Sequence, residues 1–302
     1  MTINRYENST LNSSAITFDL SYLSVILVTG ADSAAFLQGQ LSCNIKTLSE
    51  SQASIAAYCT AKGRVISIMI VIPQTDGFCL LLPSSLAEIV QKRLQMFVLR
   101  SAVKLIRSNV RILGIQTAED AFNDVSLPQT DFVVTHKDSR VLLKIPSVNF
   151  PRWIYFNFEE SGFDLKDARS AASWRMEDIA AELPWFEADQ TENYTPHMLN
   201  LDKLGGISLD KGCYTGQEII ARTHYLGKNK RQLYAGQLNS ELNINSGMAV
   251  LDPQTTQTLG HVLFAQPYKQ ATRLLMVLNL ESDHAGAYAI DDANLSLIEL
   301  LQ

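Results

Sequence analysis

Cys213 stands out among the side chains that could carry chemistry because of the residues around it. It lies in the segment Lys211-Gly212-Cys213-Tyr214-Thr215-Gly216-Gln217-Glu218. Thr215 and Glu218 have the spacing of a capping box, which predicts a helix that starts here and stops at Gly227. Free N–H groups at a helix start, together with the charge of Lys211, favour an anion and hence the thiolate. The segment therefore predicts a nucleophilic thiol at Cys213 that is assisted by Lys211.

Glycines flank this thiol on both sides. Gly212 and Gly216 are expected to let the backbone turn tightly around the sulfur. The alternative is that Cys213 is an inert residue in a turn, which is the ordinary interpretation of a single cysteine. That interpretation applies fully to the three cysteines in apolar surroundings, Cys43, Cys59 and Cys79.

The composition argues against several classes of protein. Asp and Glu number 31 against 25 Lys and Arg, and this net charge of −6 does not favour stable nucleic-acid binding. Four scattered cysteines without zinc or iron–sulfur spacing predict neither a metal site nor a disulfide framework. Residues 1–10 lack a secretory pattern, and no apolar run is long enough to span a bilayer. We therefore expect a cytoplasmic protein that does not bind a membrane.

Apolar patterning predicts an α+β region followed by a small β unit. We expect strands at 15–28, 52–60, 64–72, 78–82, 103–106, 110–115, 132–135, 141–145, 153–158 and 206–209. Helices are expected at 34–37, at 85–99 behind a capping box of Ser85 and Glu88, and from Asp167 to a stop before Pro184. Beyond residue 233, six short apolar runs predict an antiparallel barrel or sandwich.

Residues 211–218 match, residue for residue, the signature of the YgfZ family, and the chain resembles that family over nearly all of its first 230 residues. The family is related to the glycine-cleavage T-protein, a folate-dependent aminomethyltransferase. Further matching stretches are 28–33, 36–40, 61–64, 204–208, 221–222, 227 and 229–231.

The resemblance implies both a fold and a function. The fold is T-protein-like, with two interleaved α+β subdomains in residues 1–231 around a central hole that holds tetrahydrofolate, and an antiparallel β-barrel in residues 232–302. The function is that of an accessory factor rather than a conventional enzyme. It supports the synthesis or repair of iron–sulfur clusters in client enzymes, including tRNA-modifying ones, so the implied partners are client enzymes or assembly proteins.

The resemblance also implies residues that contact folate. Trp174 matches a tryptophan that the family places against the pterin, although an ordinary core residue is the alternative. Tyr22 is a substitute for an aromatic residue expected near 23. Glu177 is a substitute for a glutamate expected at Ala180, where a carboxylate would accept pterin hydrogen bonds. Further candidate folate contacts are Tyr214, Gln217 and Arg222.

Three other functions stay open. An aminomethyltransferase needs an acidic pair where this chain has Ser67 and Ile68, and no Asp or Glu occurs between 61 and 75. A thiol redox protein or sulfur carrier would use Cys213 without folate. A docking module would use a basic cluster to bind folate's tail, a phosphate or an acidic partner, unless that cluster is only a solvated helix end. The cluster consists of Arg222, His224, Lys228, Lys230 and Arg231.

Overall fold

Two five-stranded antiparallel sheets form the N-terminal part of the protein. The computed structural model describes residues 15–159, 168–227, 230–279, 287–292 and 294–301. The strands of this part, in chain order, are β1 (Ile16–Asp19), β2 (Leu23–Thr29), β3 (Ser54–Cys59), β4 (Val65–Gln74), β5 (Gly77–Pro83), β6 (Lys104–Ser108), β7 (Leu113–Gln116), β8 (Ala121–Phe122), β9 (Val125–Ser126), β10 (Val134–Lys137), β11 (Arg140–Lys144) and β12 (Trp153–Asn157).

The two sheets are built from interleaved stretches of the chain. One has the order β3-β4-β5-β2-β6 and the other the order β1-β7-β12-β11-β10, while β8 and β9 form a separate two-stranded sheet. In the second sheet, β1 pairs with β7 and places Ile16 opposite Gln116. The whole of the first sheet lies between these two strands in sequence. The predicted interleaved α+β arrangement is therefore confirmed.

The described residues contain four α-helices beside the sheets: α1 (Ser33–Gln38), α2 (Ser84–Val98), α3 (Ala172–Ala180) and α4 (Gln217–Leu226). Helix α2 follows the predicted helix and buries Leu86, Val90 and Leu94 along one face. Its predicted capping box is not formed, because the helix begins at Ser84 with Pro83 as its N-cap. The hydroxyl of Ser85 instead donates to the Glu187 carboxylate at 2.5 Å. The predicted start of the third helix at Asp167 lies outside the described residues.

The predicted strand at 206–209 is a loop instead. The N–H of Ser208 donates to the carbonyl oxygen of Ser42 at 2.9 Å. The hydroxyl of Ser42 donates to the carbonyl oxygen of Gly206 at 2.5 Å. These bonds hold the segment against the chain that follows α1 without a strand partner.

A closed six-stranded antiparallel barrel forms the C-terminal part, as predicted. Its spatial order is β13-β16-β15-β14-β17-β18. The strands are β13 (Arg231–Leu238), β14 (Ala249–Leu251), β15 (Thr258–Tyr268), β16 (Ala271–Asn279), β17 (Tyr288–Ile290) and β18 (Leu297–Leu300). The barrel has its own apolar interior, which includes Val250, Leu274 and Met276.

The barrel is joined to the rest of the protein by shared packing with α3. Trp174 and Ile179 of α3 belong to the same buried cluster as Leu263 of β15 and Leu275 of β16. This contact brings α3, the turn between β1 and β2, and the barrel to one junction. Within the described residues, no helix has the length and apolar character that crossing a membrane requires.

Candidate functional site

Cys213 lines an open cleft with a volume of about 810 Å³. The cleft is lined by residues 213–218 and 221, by the end of β3 with the turn that follows it, by Ile66 of β4, and by the side chains of Arg93, Met96 and Phe97 on α2. Of the four cysteines, only Cys213 is exposed. The cleft therefore gives a ligand or a partner group access to this thiol, whereas the other three cysteines are buried, Cys59 in the wall of the same cleft.

Lys211 anchors the loop instead of placing its charge beside the thiol. Its Nζ atom donates to the carbonyl oxygens of Leu41 at 2.7 Å and Cys43 at 2.6 Å. The same atom lies 4.7 Å from the centre of the Tyr214 ring. Burial lowers the pKa of Lys211 to about 8. Because the ammonium group is committed to these carbonyls, the predicted catalytic assistance by Lys211 is corrected to a positioning role.

Gln217 closes the loop on itself. Its Oε1 accepts a hydrogen bond from the N–H of Tyr214 at 3.3 Å, and its Nε2 donates to the Lys211 carbonyl oxygen at 3.3 Å. Both polar atoms of this predicted folate contact are therefore used within the loop.

The helix that follows the loop begins later than predicted. Helix α4 starts at Gln217 with Gly216 as its N-cap, so the predicted capping box of Thr215 and Glu218 is not formed. The N–H of Thr215 donates to the carbonyl oxygen of Gly39 at 3.2 Å, which keeps Thr215 in the loop. The predicted stop at Gly227 is confirmed.

Gly216 is the glycine that the loop requires. Its φ is 84°, and a Cβ there would lie 2.6 Å from the carbonyl oxygen of Thr60. Gly63, in the turn that Gly216 crosses, also has a left-handed φ of 67°. Gly212 has no left-handed φ, and a Cβ there would meet nothing within 4 Å. The chain bends at Gly212, but in contrast to the prediction this bend does not require a glycine.

Tyr214 points from the loop into the protein. Tyr214 is buried, and its hydroxyl has no hydrogen-bond partner among the described residues. Burial, followed by the neighbouring Cys59 and Cys43 thiols, raises the pKa of Tyr214 above its usual value. Tyr214 thus forms part of the cleft wall and remains neutral at physiological pH.

Trp174 lies in the core and has no open face for a flat ligand. It is 1 % exposed, and its ring centre lies 5.5 Å from that of Phe18. The guanidinium carbon of Arg152 lies 4.8 Å from the indole centre. Gly114 makes room for the indole, since a Cβ there would lie 2.6 Å from it. The described packing therefore matches the core interpretation of Trp174.

Glu177 is also committed to the protein itself. Its carboxylate accepts hydrogen bonds from the N–H groups of Val148 and Asn149, both at 3.2 Å. The side-chain amide of Asn149 donates to its other oxygen. Glu177 therefore holds the loop at 148–149, and in this packing it does not offer its oxygens to a pterin.

Tyr22 belongs to a buried polar network at the junction of α3 with the barrel. Its hydroxyl donates to Asp178 Oδ2 at 2.9 Å. Asp178 Oδ1 lies 2.8 Å from a guanidinium nitrogen of Arg152. Burial raises the pKa of Asp178, and the charge of Arg152 opposes that shift.

Sequence reasoning missed Asp178 and Arg152. The available signal was Asp178 four residues after Trp174, on the same face of a helix.

The guanidinium of Arg175 covers the ring of Tyr22. Its central carbon lies 4.2 Å from the centre of that ring. The three aromatic and acidic side chains predicted to hold a pterin, Trp174, Tyr22 and Glu177, are thus covered or bonded by other groups of the chain. The described packing does not accommodate a pterin at these contacts.

The basic cluster lies beyond the cleft. Arg222 and His224 are exposed on α4, and Arg222 does not line the cleft. Lys230 and Arg231 are exposed at the start of β13, and Lys228 lies outside the described residues. Among the described residues, no group of three or more His, Cys, Asp and Glu side chains is placed to bind a metal ion.

Comparison with known proteins assigns the fold. No protein-family model matches the chain. A solved structure of the glycine cleavage system aminomethyltransferase T from Bartonella henselae superposes with a TM-score of 0.76, covering 95% of this chain and 85% of that one. At 13% sequence identity, this similarity establishes the T-protein-like fold alone.

Sequence relatives assign the family. The tRNA-modifying protein YgfZ of Colwellia psychrerythraea (strain 34H) is 32% identical over 236 residues, which cover 74% of this chain and 71% of the relative. The protein of the same name from Hamiltonella defensa is 33% identical over 225 residues, or 70% of this chain and 66% of the relative. This chain therefore belongs to the YgfZ family.

Proposed function

We propose that this protein is a cytoplasmic accessory factor of tRNA modification that supports the synthesis or repair of iron–sulfur clusters in client enzymes. In this proposal, the protein acts through the thiol of Cys213. The observation that carries the proposal is that Cys213 is exposed in an open cleft, whereas the other three cysteines are buried. A cleft of about 810 Å³ is large enough to admit a side chain or a small cofactor of a partner.

The walls of the cleft suit contact with another protein. Met96 is 65 % exposed and Phe97 is 48 % exposed, and both line the cleft beside the thiol. Methionine and aromatic side chains are typical of adaptable binding surfaces. A client that docks on this rim would bring its own sulfur or iron ligands close to Cys213.

Complementation tests the role of Cys213. A bacterial strain that lacks its own YgfZ-type protein would receive the wild-type chain, Cys213→Ser, or Cys79→Ser as a matched control at a buried thiol that does not line the cleft. We expect wild type and Cys79→Ser to restore the thiolated tRNA nucleosides made by an iron–sulfur enzyme, measured by mass spectrometry. Full restoration by Cys213→Ser would reject the proposal.

Folate is the small-molecule ligand expected from the family resemblance, and the proposal includes it. A titration of the purified chain with tetrahydrofolate, followed by tryptophan fluorescence, tests that part separately. No response at millimolar ligand would leave a folate-independent thiol protein as the better description. Trp174→Ala is a poor probe here, because emptying a buried tryptophan site costs about 3–5 kcal/mol of stability.

Aminomethyl transfer is the weaker alternative. Ser67 and Ile68, at the positions of the T-protein acidic pair, are buried in β4, and the Ser67 hydroxyl donates to the Ile68 carbonyl oxygen at 2.9 Å. A hydroxyl in that position cannot supply an ionised carboxylate at neutral pH. Tetrahydrofolate-dependent ammonia release from an aminomethylated lipoyl carrier protein would reverse this ranking.

A further inference from the structure

Lys144 is a buried amine in the second sheet, away from Cys213. It is the last residue of β11, and its side chain is only 8% exposed. Its Nζ atom lies 3.6 Å from Asp131 Oδ1, in a long ion pair with a side chain that is 50% exposed. Nζ also donates to the carbonyl oxygen of Ile145 at 3.3 Å. Lysine is almost never buried without a close charged partner, so the ammonium form is poorly compensated here for the loss of water.

The neighbouring strand supplies an aromatic wall beside this amine. Lys144 is paired with Trp153 across β11 and β12, and Nζ lies 5.3 Å from the centre of the indole ring. Trp153 is buried, and its N–H donates to the carbonyl oxygen of Pro128 at 2.7 Å. The ring is therefore held in place and keeps water away from one side of the amine.

A second cation lies close to Lys144. The guanidinium of Arg152 donates to the carbonyl oxygen of Pro146 at 2.9 Å, and Pro146 follows Ile145, whose carbonyl oxygen accepts from Nζ. Burial lowers the pKa of Lys144, the charge of Asp131 opposes this shift, and the charge of Arg152 adds to it. Desolvation and a neighbouring cation are two ways in which proteins keep a lysine neutral and nucleophilic.

The amine has space in front of it, because Lys144 lines an open pocket of about 500 Å³. Amide, hydroxyl and carboxylate groups line the same pocket, from Gln129, Thr130, Asp131 and Ser147. Amides and hydroxyls can exchange hydrogen bonds with the hydroxyl groups of a small ligand. The single carboxylate lies next to the amine and disfavours a ligand that carries a negative charge.

We propose that Lys144 is a reactive amine that condenses with a small, uncharged hydroxyaldehyde or hydroxyketone. The nitrogen lone pair attacks the carbonyl carbon, the C=O electron pair moves to oxygen, and one proton passes from nitrogen to oxygen to give a carbinolamine. The hydroxyl then leaves as water with the second nitrogen proton, and the nitrogen lone pair forms the C=N bond. Amine and carbonyl compound thus give an imine and water, without an oxidant or a reductant. The site involves neither Cys213 nor folate, so it goes beyond the proposed function.

Reductive trapping tests the site in the full chain. The protein would be incubated with glycolaldehyde and cyanoborohydride at neutral pH, and peptide mass spectrometry would locate the adducts. Cyanoborohydride delivers hydride to the imine and fixes it as a secondary amine. Among the lysines, we expect the first adduct at Lys144 and only later adducts at exposed lysines such as Lys104.

Lys211 is an internal control for the role of the pocket. Burial lowers the pKa of Lys211 to about 8, but Lys211 does not line the cleft of Cys213, and its Nζ donates to two carbonyl oxygens. We expect it to stay unmodified while Lys144 reacts. Labelling of Lys211 at the rate of Lys144 would show that burial alone, without the pocket, explains the reactivity, and would overturn the proposal.

Two substitutions separate the reaction from a structural role. Lys144→Arg keeps a cation in the pocket without a nucleophilic amine, so we expect loss of the first lysine adduct. If this variant does not unfold cooperatively, Lys144→Met replaces it. Asp131→Asn removes the carboxylate, and we expect the preference of Lys144 for glycolaldehyde over the anionic glyoxylate to fall about fivefold, as for one unit charge in water at this distance. Asp76→Asn, at an exposed carboxylate that does not line the pocket, should leave the preference unchanged.

The remaining outcomes decide the proposal in either direction. Adducts that spread over the exposed lysines while Lys144 lags would overturn the reactive amine, and so would an unchanged first adduct in Lys144→Arg. An unchanged preference in Asp131→Asn would overturn the assignment of an uncharged ligand. Cys213→Ser should be labelled at Lys144 as fast as wild type, so failure of this site and failure of the proposed thiol function are separate results.

Discussion

The ammonium group of Lys211 donates a hydrogen bond to the carbonyl oxygen of Cys43 at 2.6 Å, a contact between residues 168 positions apart. Together with the bond to Leu41, it ties the loop that carries Cys213 to the segment after α1. The position of the loop, and with it the exposure of the Cys213 thiol, therefore depends on the buried ammonium group of Lys211.

This anchor makes stability depend on pH in a defined direction. The pKa of Lys211 is about 8 in the folded protein, against an ordinary value of 10.5. Between these values the unfolded chain binds more protons, so the Lys211 contribution to the free energy of unfolding rises with pH. We expect urea titrations between pH 7 and 10 to show a smaller rise for Lys211→Met than for wild type. The control, Lys46→Met at an exposed lysine, should follow wild type, and equal slopes in all three would contradict the assignment.

The four cysteines should differ sharply in reactivity. Burial raises the pKa of Cys43 to about 11 and also raises those of Cys59 and Cys79, whereas Cys213 is exposed. Since the thiolate reacts, we expect iodoacetamide to add one adduct to the native protein, at Cys213, and four in urea. Intact-mass and peptide analysis measure this. Native Cys213→Ser should remain unmodified, and rapid native labelling of Cys59 would show that the cleft opens deeper than described.

Two glycines of the loop provide a matched pair of substitutions to alanine. Gly216→Ala places a Cβ 2.6 Å from a backbone oxygen at a φ of 84°, so we expect a loss of about 1–3 kcal/mol in the free energy of unfolding. Gly212→Ala meets no atom within 4 Å, and we expect a change of less than about 0.5 kcal/mol. Urea denaturation at one pH compares them. Equal losses would mean that the close approach of the loop to the β3–β4 turn does not require a glycine at position 216.

Breaking the buried pair of Arg152 and Asp178 should destabilise the protein strongly. Both side chains are almost fully buried, and their charged atoms lie 2.8 Å apart. Asp178→Asn leaves an uncompensated guanidinium in the core, and we expect a cost of about 3–5 kcal/mol, measured by urea denaturation. The control is Asp138→Asn, which removes the partner of Arg140 in a surface pair and should change little. A small effect of Asp178→Asn would show that water or Tyr22 compensates Arg152.

The sequence determined the features that depend on neighbours along the chain. The six barrel strands follow short apolar runs divided by turn residues, and α2 follows the helical spacing of Leu86, Val90 and Leu94, because local periodicity decides which face an element buries. The order and residue types of the loop around Cys213 were sufficient to identify the family.

Only the tertiary structure decided which polar groups face the thiol, the core or a ligand. Lys211 turned away from Cys213 because two carbonyls of a distant segment offered buried acceptors. Trp174 became a core residue because Gly114 and Arg152 enclose it. The guanidinium of Arg175 lies 4.1 Å from the ring centre of Phe264, which β15 carries just after a β-bulge. In each case the partners lie tens of residues away, and a buried polar or aromatic group adopts the position in which such partners satisfy it.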